Sequence, residues 1–325
     1  MKALVYYQYG SYDQLQVKEV DRPSVKDNEV LVKVVASSIN SWDMDMLKGD
    51  GWITRVISGF FKPRHSILGA DIAGIIAAVG PDVKDFKVGD KVYGDIAEAG
   101  FGGFAEYVAV PEKLLAPKPK LLSFNEAASM PQAGLLAIQG LRHYGDIRSG
   151  QKILINGAGG GVGTLALLYA KAKGAEVTCV DRKEKFAMLS SLGADYTIDF
   201  MTTDYTKTGQ QYHKILDVIA HRSAADYKRA LTPDGTFAMI GGSMGGLLFR
   251  MMVVEPWLSK YRSKKLGIMG YKVGTSELEK LTRLVEDGTL KPVIDSVFKL
   301  DDGAQAFRHF MSGSFKGKII IEVGS

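Results

Sequence analysis

The residues best suited to chemistry are a run of glycines, one carboxylate and three cations, all within a single stretch of the chain. Gly157-Ala158-Gly159-Gly160-Gly161-Val162-Gly163 follows the apolar run Ile153-Leu154-Ile155 and precedes an apolar helical segment from Leu165 to Lys173. A second apolar strand, Glu176 to Val180, ends on Asp181. A glycine turn between a buried strand and a helix lets backbone N–H groups approach a pyrophosphate, and the positive end of the helix favours the same anion. Strand, turn, helix, strand and terminal acid within about 30 residues make a dinucleotide-binding unit. The best register places Ala158, Gly160 and Gly163 on the three glycine positions, with Gly161 and Val162 in between. A second register, Gly161, Gly163 and Ala166, fits the same pattern.

Asp181 stands where a carboxylate binds an adenosine ribose 2′-hydroxyl and repels a 2′-phosphate. Arg182, Lys183 and Lys185 follow at once, and cations beside the ribose hold such a phosphate. The choice between NAD and NADP stays open on these residues. Gly241 and Gly242 follow the strand expected at Thr236–Ile240, on the carboxyl edge of the sheet, and are further candidates for cofactor contact.

Two kinds of element must position these groups. Residues 1 to about 120 read as β-rich, with strands expected at Lys2–Tyr7, Gln14–Val20, Glu29–Ala36, Ile72–Val79, Lys91–Tyr93 and Ala105–Ala109. From about Asn125 strands and helices alternate, which implies a doubly wound parallel sheet. A helix is expected over Ala127–Tyr144, and later strands at Tyr196–Asp199, Lys214–Val218, Thr236–Ile240 and Leu266–Met269. The last segments read as helices at Glu277–Glu286 and Ala304–Met311 and strands at Val293–Phe298 and Lys318–Val323.

The 325 residues are 46% hydrophobic, enough for the cores of two domains, and carry a net charge of +5. That charge suits an anionic ligand, but no basic stripe interleaved with aromatics points to nucleic acid. The single cysteine, Cys179, excludes an intrachain disulfide and any multi-cysteine metal site. No charged leader with an apolar centre opens the chain, and no apolar run is long enough to span a bilayer, so cytoplasmic residence without a membrane partner is the expectation.

The ordered landmarks resemble the medium-chain dehydrogenase/reductase superfamily over essentially the whole chain. GADIAGIIAAVGPDV (69–83) is similar to its G-H-E-x-x-G-x₅-G-x-x-V signature. VGDKVYG (88–94), GGFAEYVAV (102–110), NGAGGGVG (156–163), SLGADYTIDF (191–200), ILDV (215–218) and GKIIIEV (317–323) follow in register. The resemblance implies an α/β protein, with a GroES-like β-rich catalytic domain of residues 1–124 and 270–325. A Rossmann dinucleotide-binding domain with a doubly wound parallel sheet would fill residues 125–269.

The departures narrow the function. Zinc alcohol dehydrogenases of this superfamily hold their metal with Cys, His and Cys, and here Asn40, Ala70 and about Gln132 stand at those positions. Asp71 replaces the signature glutamate, the four-cysteine zinc lobe is absent, and the five histidines show no ligand spacing. SINSWD (38–43) and PQAGLLA (131–137) resemble instead the zinc-free quinone oxidoreductase and enone reductase branch. In the second segment Leu136 replaces that branch's threonine. Lys185 matches a lysine that branch uses for the 2′-phosphate.

The resemblance thus implies hydride transfer from NADH or NADPH, without zinc, to a quinone or an α,β-unsaturated carbonyl. Asn40 is the first catalytic candidate, donating to substrate or nicotinamide, and Tyr271 is a second, as neighbour of the nicotinamide or proton donor. Asp43 reads as the cap of a helix beginning near Met44. The apolar stretches Gly51–Pro63 and Gly245–Tyr261 are candidate lids over a small apolar electrophilic substrate. The resemblance also suggests a homodimer. The alternatives are zinc-type alcohol dehydrogenase activity, or an NADPH-binding structural or RNA-binding protein without turnover.

Overall fold

The computed structural model describes residues 1–50, 52–242 and 263–324. The chain divides into two compact units: Met1–Gln132 with Lys272–Gly288 and Pro292–Ser325, and Ala133–Tyr271 with Thr289–Lys291.

The first unit is built on β1 (Lys2–Val5), β2 (Gln16–Glu19), β3 (Glu29–Ser38), β4 (Asp71–Val79), β5 (Lys91–Asp95), β6 (Tyr107–Pro111) and β7 (Leu115–Pro117). β1 and β2 form an antiparallel pair. β3 is the hub of the larger sheet. It pairs antiparallel with β4 and β6, and β4 continues through β5 to β7. β3 is long and valine-rich, and its inward residues Val30, Val32 and Val34 pack with Ile72, Ile76, Val92 and Val110 in one buried cluster.

The second unit carries β8 (Lys152–Asn156), β9 (Glu176–Asp181), β10 (Tyr196–Asp199), β11 (Tyr212–Asp217), β12 (Leu231–Met239) and β13 (Lys265–Ile268). All pair in parallel, in the order β10-β9-β8-β11-β12-β13. Ile153, Leu154 and Ile155 of β8 are wholly buried, as a central parallel strand requires. Burial stabilises such side chains by roughly 1.5–3 kcal/mol each. The strand order reverses between β8 and β11, and ligands of open α/β sheets bind at the carboxyl ends of strands at such a switch point.

The last two strands, β14 (Ile294–Lys299) and β15 (Lys318–Glu322), return to the first unit. β15 lies parallel to β14 and antiparallel to β3.

Helix α1 spans Ser41–Lys48, α2 Trp52–Ser58, α3 Phe124–Ala128, α4 Pro131–Arg142 and α5 Gly161–Ala172. The single helix expected over Ala127–Tyr144 is therefore two. Ser123 and Glu126 form a capping box that starts α3, and Pro131, which lacks an N–H and disfavours helix in the residue before it, restarts the chain as the first residue of α4. Helix α1 begins at Ser41 rather than near Met44, with Asn40 as its N-cap. No helix of the described residues is long and apolar enough to cross a membrane.

Candidate functional site

The glycine turn leaves the end of β8 and enters α5, whose N-cap is Gly160. Gly157 turns the chain with φ +79°, a conformation that glycine adopts at little cost. A Cβ on Gly163 would lie 2.3 Å from the Gly157 carbonyl oxygen and 2.5 Å from Ala158 Cα, so α5 packs against the turn only because that residue is glycine. A Cβ on Gly160 would meet nothing closer than 3.7 Å, leaving its backbone open to a ligand. These facts favour the register Ala158, Gly160, Gly163 over the one starting at Gly161, since Gly161 is already the first residue of α5. Val162 lies in the same first turn. The cradle fits a pyrophosphate: backbone N–H groups at a helix start, with open space at Gly160.

Asp181, the last residue of β9, is buried and held from several sides. The Gly159 N–H donates to its Oδ2 at 2.7 Å and the Arg182 N–H to its Oδ1 at 2.8 Å. The Lys185 ammonium lies 3.3 Å from Oδ1, itself buried. The carboxylate therefore ties the glycine turn to β9 and is neutralised by a neighbouring cation, while Arg182 and Lys183 stand exposed.

Gly241 and Gly242 follow β12 beside the segment after β11. A Cβ would come within 2.6 Å of Val218 O at Gly241 and 2.0 Å of Ala220 O at Gly242, where φ is +137°. The Gly241 carbonyl accepts from Ala220 N–H at 3.0 Å. Both glycines thus serve close backbone packing at the carboxyl edge of the sheet. Tyr271 lies, half-buried, in the coil beyond β13.

In the first unit, Asn40 sits in a buried polar cluster. Its Nδ2 donates to Asp71 Oδ2 at 3.0 Å, and Ser38 Oγ donates to the same oxygen at 3.1 Å. The Gln132 N–H donates to Asp71 Oδ1 at 2.9 Å, and the Gln132 amide donates to Asp95 at 3.3 Å. Lys318, the first residue of β15, sends its ammonium to the Ile39 carbonyl at 3.0 Å, to Asn40 Oδ1 at 2.5 Å and to Asp71 Oδ2 at 3.5 Å. Burial holds the Lys318 ammonium below its ordinary pKa, against the upward pull of Asp71 and Asp43.

Asp43, wholly buried, is the third residue of α1 and closes a capping box with Asn40, which holds the N-cap position itself. It accepts from the Asn40 N–H and the Gly69 N–H, both at 2.8 Å. Burial nevertheless pushes its carboxyl up to about 7.

The two expected lids fare differently. In the first, Val56, Phe60 and Phe61 are exposed, while Ser58 is buried and hydrogen-bonded to Tyr9 at 2.8 Å. The second, Gly245–Tyr261, lies outside the described residues. Trp42 is exposed on α1. Cys179 is buried in β9, as its apolar surroundings suggest.

Sequence reasoning missed Lys318, and it treated Asp71 and Gln132 only as absent metal ligands. The available signal was a lysine opening the final strand directly before three isoleucines, where a charge has no reason to be buried unless it has partners.

A parallel sheet in this order, entered through a glycine turn and accompanied by a β-rich unit built from both chain ends, defines a pyridine-nucleotide-dependent dehydrogenase or reductase. Residues 26–120 match the alcohol dehydrogenase GroES-like domain, and residues 192–321 match the zinc-binding dehydrogenase domain. The chain is 34% identical over 332 residues to the 2-methylene-furan-3-one reductase of Solanum lycopersicum, covering 99% of this chain and 79% of that one. It is 32% identical to the chloroplast envelope quinone oxidoreductase homolog of Arabidopsis thaliana, covering 99% and 98%. The quinone oxidoreductase of Coxiella burnetii superposes with a TM-score of 0.89 at 28% identity, over 100% of this chain and 99% of that one. The chain belongs to the medium-chain dehydrogenase/reductase superfamily.

The zinc named by one matching domain does not fit this donor set. Asn40 and Gln132 offer amides, Ala70 offers a methyl group, and an ammonium already stands against Asp71. Among the described residues no group of three or more His, Cys, Asp or Glu is placed to hold a metal ion. Cytoplasmic residence does not stand, because several relatives at 32% identity are chloroplastic. The physical reason is that targeting segments are read and removed separately, so a folded domain carries no record of its compartment.

Proposed function

We propose that this chain reduces quinones or α,β-unsaturated carbonyls with NADPH and without a metal ion. The observation that carries the reading is the pairing of an intact pyrophosphate cradle at Gly157–Gly163 with a buried Asn40–Asp71–Lys318 cluster at the superfamily's metal position. Relatives named as a furanone reductase, an NADPH-dependent alkenal/one oxidoreductase and quinone oxidoreductases support it.

The nicotinamide, when bound, supplies the hydride. The turn and the N-terminus of α5 hold the pyrophosphate through backbone N–H groups. Lys185 offsets the Asp181 charge, so that Arg182 and Lys183 favour a 2′-phosphate rather than competing with a bare carboxylate. This reading selects NADPH over NADH.

Asn40 donates its amide to the acceptor oxygen and stabilises the negative charge that develops there. An electron-poor acceptor needs no stronger polarising group, whereas an alcohol needs its pKa lowered before it surrenders a hydride. The proton comes from water or a weak acid.

Assembly as a homodimer belongs to the same proposal. β13 is the outer strand of the parallel sheet among the described residues, and an open edge is a template for a second copy. Sedimentation velocity at micromolar concentration checks it.

The enzymatic reading is tested by fluorescence titration with NADPH and NADH, then steady-state assays against ortho-quinones, enones and primary alcohols. Turnover of the first two classes is the expected result. Oxidation of alcohols, or no turnover across the panel, overturns it.

A further inference from the structure

A buried ammonium carries three protons and no lone pair, so it is fully satisfied where three acceptors converge. Lys318 meets this condition: its three acceptors are the Ile39 carbonyl, the Asn40 amide oxygen and the Asp71 carboxylate. These lie in one shell although Lys318 stands 247 residues from Asp71 and 278 from Asn40 in the chain.

The arrangement settles which way the Asn40 amide points. A lysine only donates, so it must face the amide oxygen. An ionised carboxylate only accepts, so it must face the amide nitrogen. One amide proton goes to Asp71 Oδ2, and the other has no partner among the described residues. Asp71 is itself held from its other oxygen by the Gln132 N–H and from the same oxygen by Ser38, so it is a fixed anchor.

We propose that Lys318 is the positioning residue of the Asn40 amide: its ammonium replaces the superfamily's metal as resident cation and locks the carboxamide with one N–H free for the acceptor oxygen. The inference rests on the Asn40 role proposed above. Without the ammonium the amide oxygen keeps only the Asp43 N–H of the α1 capping box, the amide is held less firmly, and the Asp71 carboxylate loses its counter-charge. The donor that meets the developing oxyanion is then no longer set before the substrate arrives.

The test is a double-mutant cycle on acceptor reduction with NADPH, using Asn40→Ala, Lys318→Met and the pair, with melting curves on every variant. Lys318→Met should lower kcat on the order of tenfold, while the KM for NADPH stays within about twofold. In the Asn40→Ala background the same change should cost less than about twofold, because the amide it positions is gone. Lys318→Gln keeps a donor toward Asn40 Oδ1 and should retain more activity than Lys318→Met. It replaces Lys318→Met in the cycle if that variant does not fold. Losses that multiply, or a fall in melting temperature with kcat unchanged, overturn the inference while leaving the role of Asn40 intact. If Asn40→Ala works as well as the wild type, the reading of Asn40 fails and the inference fails with it.

Discussion

The Lys185 ammonium lies 3.3 Å from the Asp181 carboxylate, four residues back in the chain, with both side chains less than a tenth exposed. The acid expected to select a ribose hydroxyl is therefore charge-balanced before any nucleotide arrives. Lys185→Met removes that balance and leaves the Asp181 carboxylate without its counter-charge. The expected outcome is a loss of NADPH affinity of about tenfold or more, with NADH affinity changed by less than about threefold. Parallel fluorescence titrations measure both. Equal losses for the two nucleotides would mean that Lys185 only supports the fold.

The glycines of the turn should separate by role. Gly163→Ala forces a methyl group to within 2.3 Å of a backbone oxygen, so either α5 or the turn must move. Such overpacking costs about 1–3 kcal/mol or more, and a lower melting temperature is expected together with lost nucleotide binding. Gly160→Ala meets no atom within 3.7 Å and keeps an ordinary φ of −88°, so it should melt like the wild type. It should still bind NADPH on the order of tenfold more weakly, because the methyl group stands where the pyrophosphate approaches the backbone. Normal binding by Gly160→Ala would move the cradle elsewhere in the turn.

The turn was legible in the sequence because its information is local. Strand, glycines, helix and acid fall within one stretch, and each residue type has a conformational reason to be there. The helix α1 was legible, but its start, expected near Met44, falls three residues earlier, at Ser41. SWDMDMLK is short and mixes charges with apolar residues, so its start is set by the local Asn40–Asp43 capping box and the contact of Asp43 with Gly69 rather than by periodicity. The Lys318 cluster was hidden for a different reason. Its partners are brought together by β15 pairing with β3, and no window of sequence contains that relationship. The break between α3 and α4 could have been read from Pro131 alone, and the expectation of one continuous helix gave that proline too little weight.

Metal content follows from the donor set. Purified protein should contain zinc well below stoichiometry by elemental analysis, and a chelator should leave quinone reduction unchanged. Zinc prefers thiolate and imidazole ligands, and an ammonium in the centre of the cluster repels it. One zinc per chain, lost with activity on chelation, would contradict both the proposed mechanism and the role of Lys318.

The buried Asp43 carboxyl gives a pH dependence of definite sign. Burial raises it from the usual carboxylate range to about 7, against the two backbone N–H groups and Lys318, which favour the charged form. The folded state thus binds a proton that the unfolded chain releases near pH 4. Stability from this group is fully present below that value and is lost as pH rises to about 7. Asp195 and Asp226 act oppositely: hydrogen bonds and neighbouring cations hold them below the usual range, so their contribution is lost as pH falls. The wild-type melting curve mixes both signs, and the difference from Asp43→Asn isolates one. The asparagine leaves one of the two N–H groups poorly matched, a cost independent of pH. Against that constant offset, the variant should gain on the wild type between pH 4 and pH 7 by on the order of 3 kcal/mol. Denaturant titrations at several pH values measure the gap. A gap that stays constant, or that shrinks as pH rises, would show that Asp43 carries no raised pKa in the folded state.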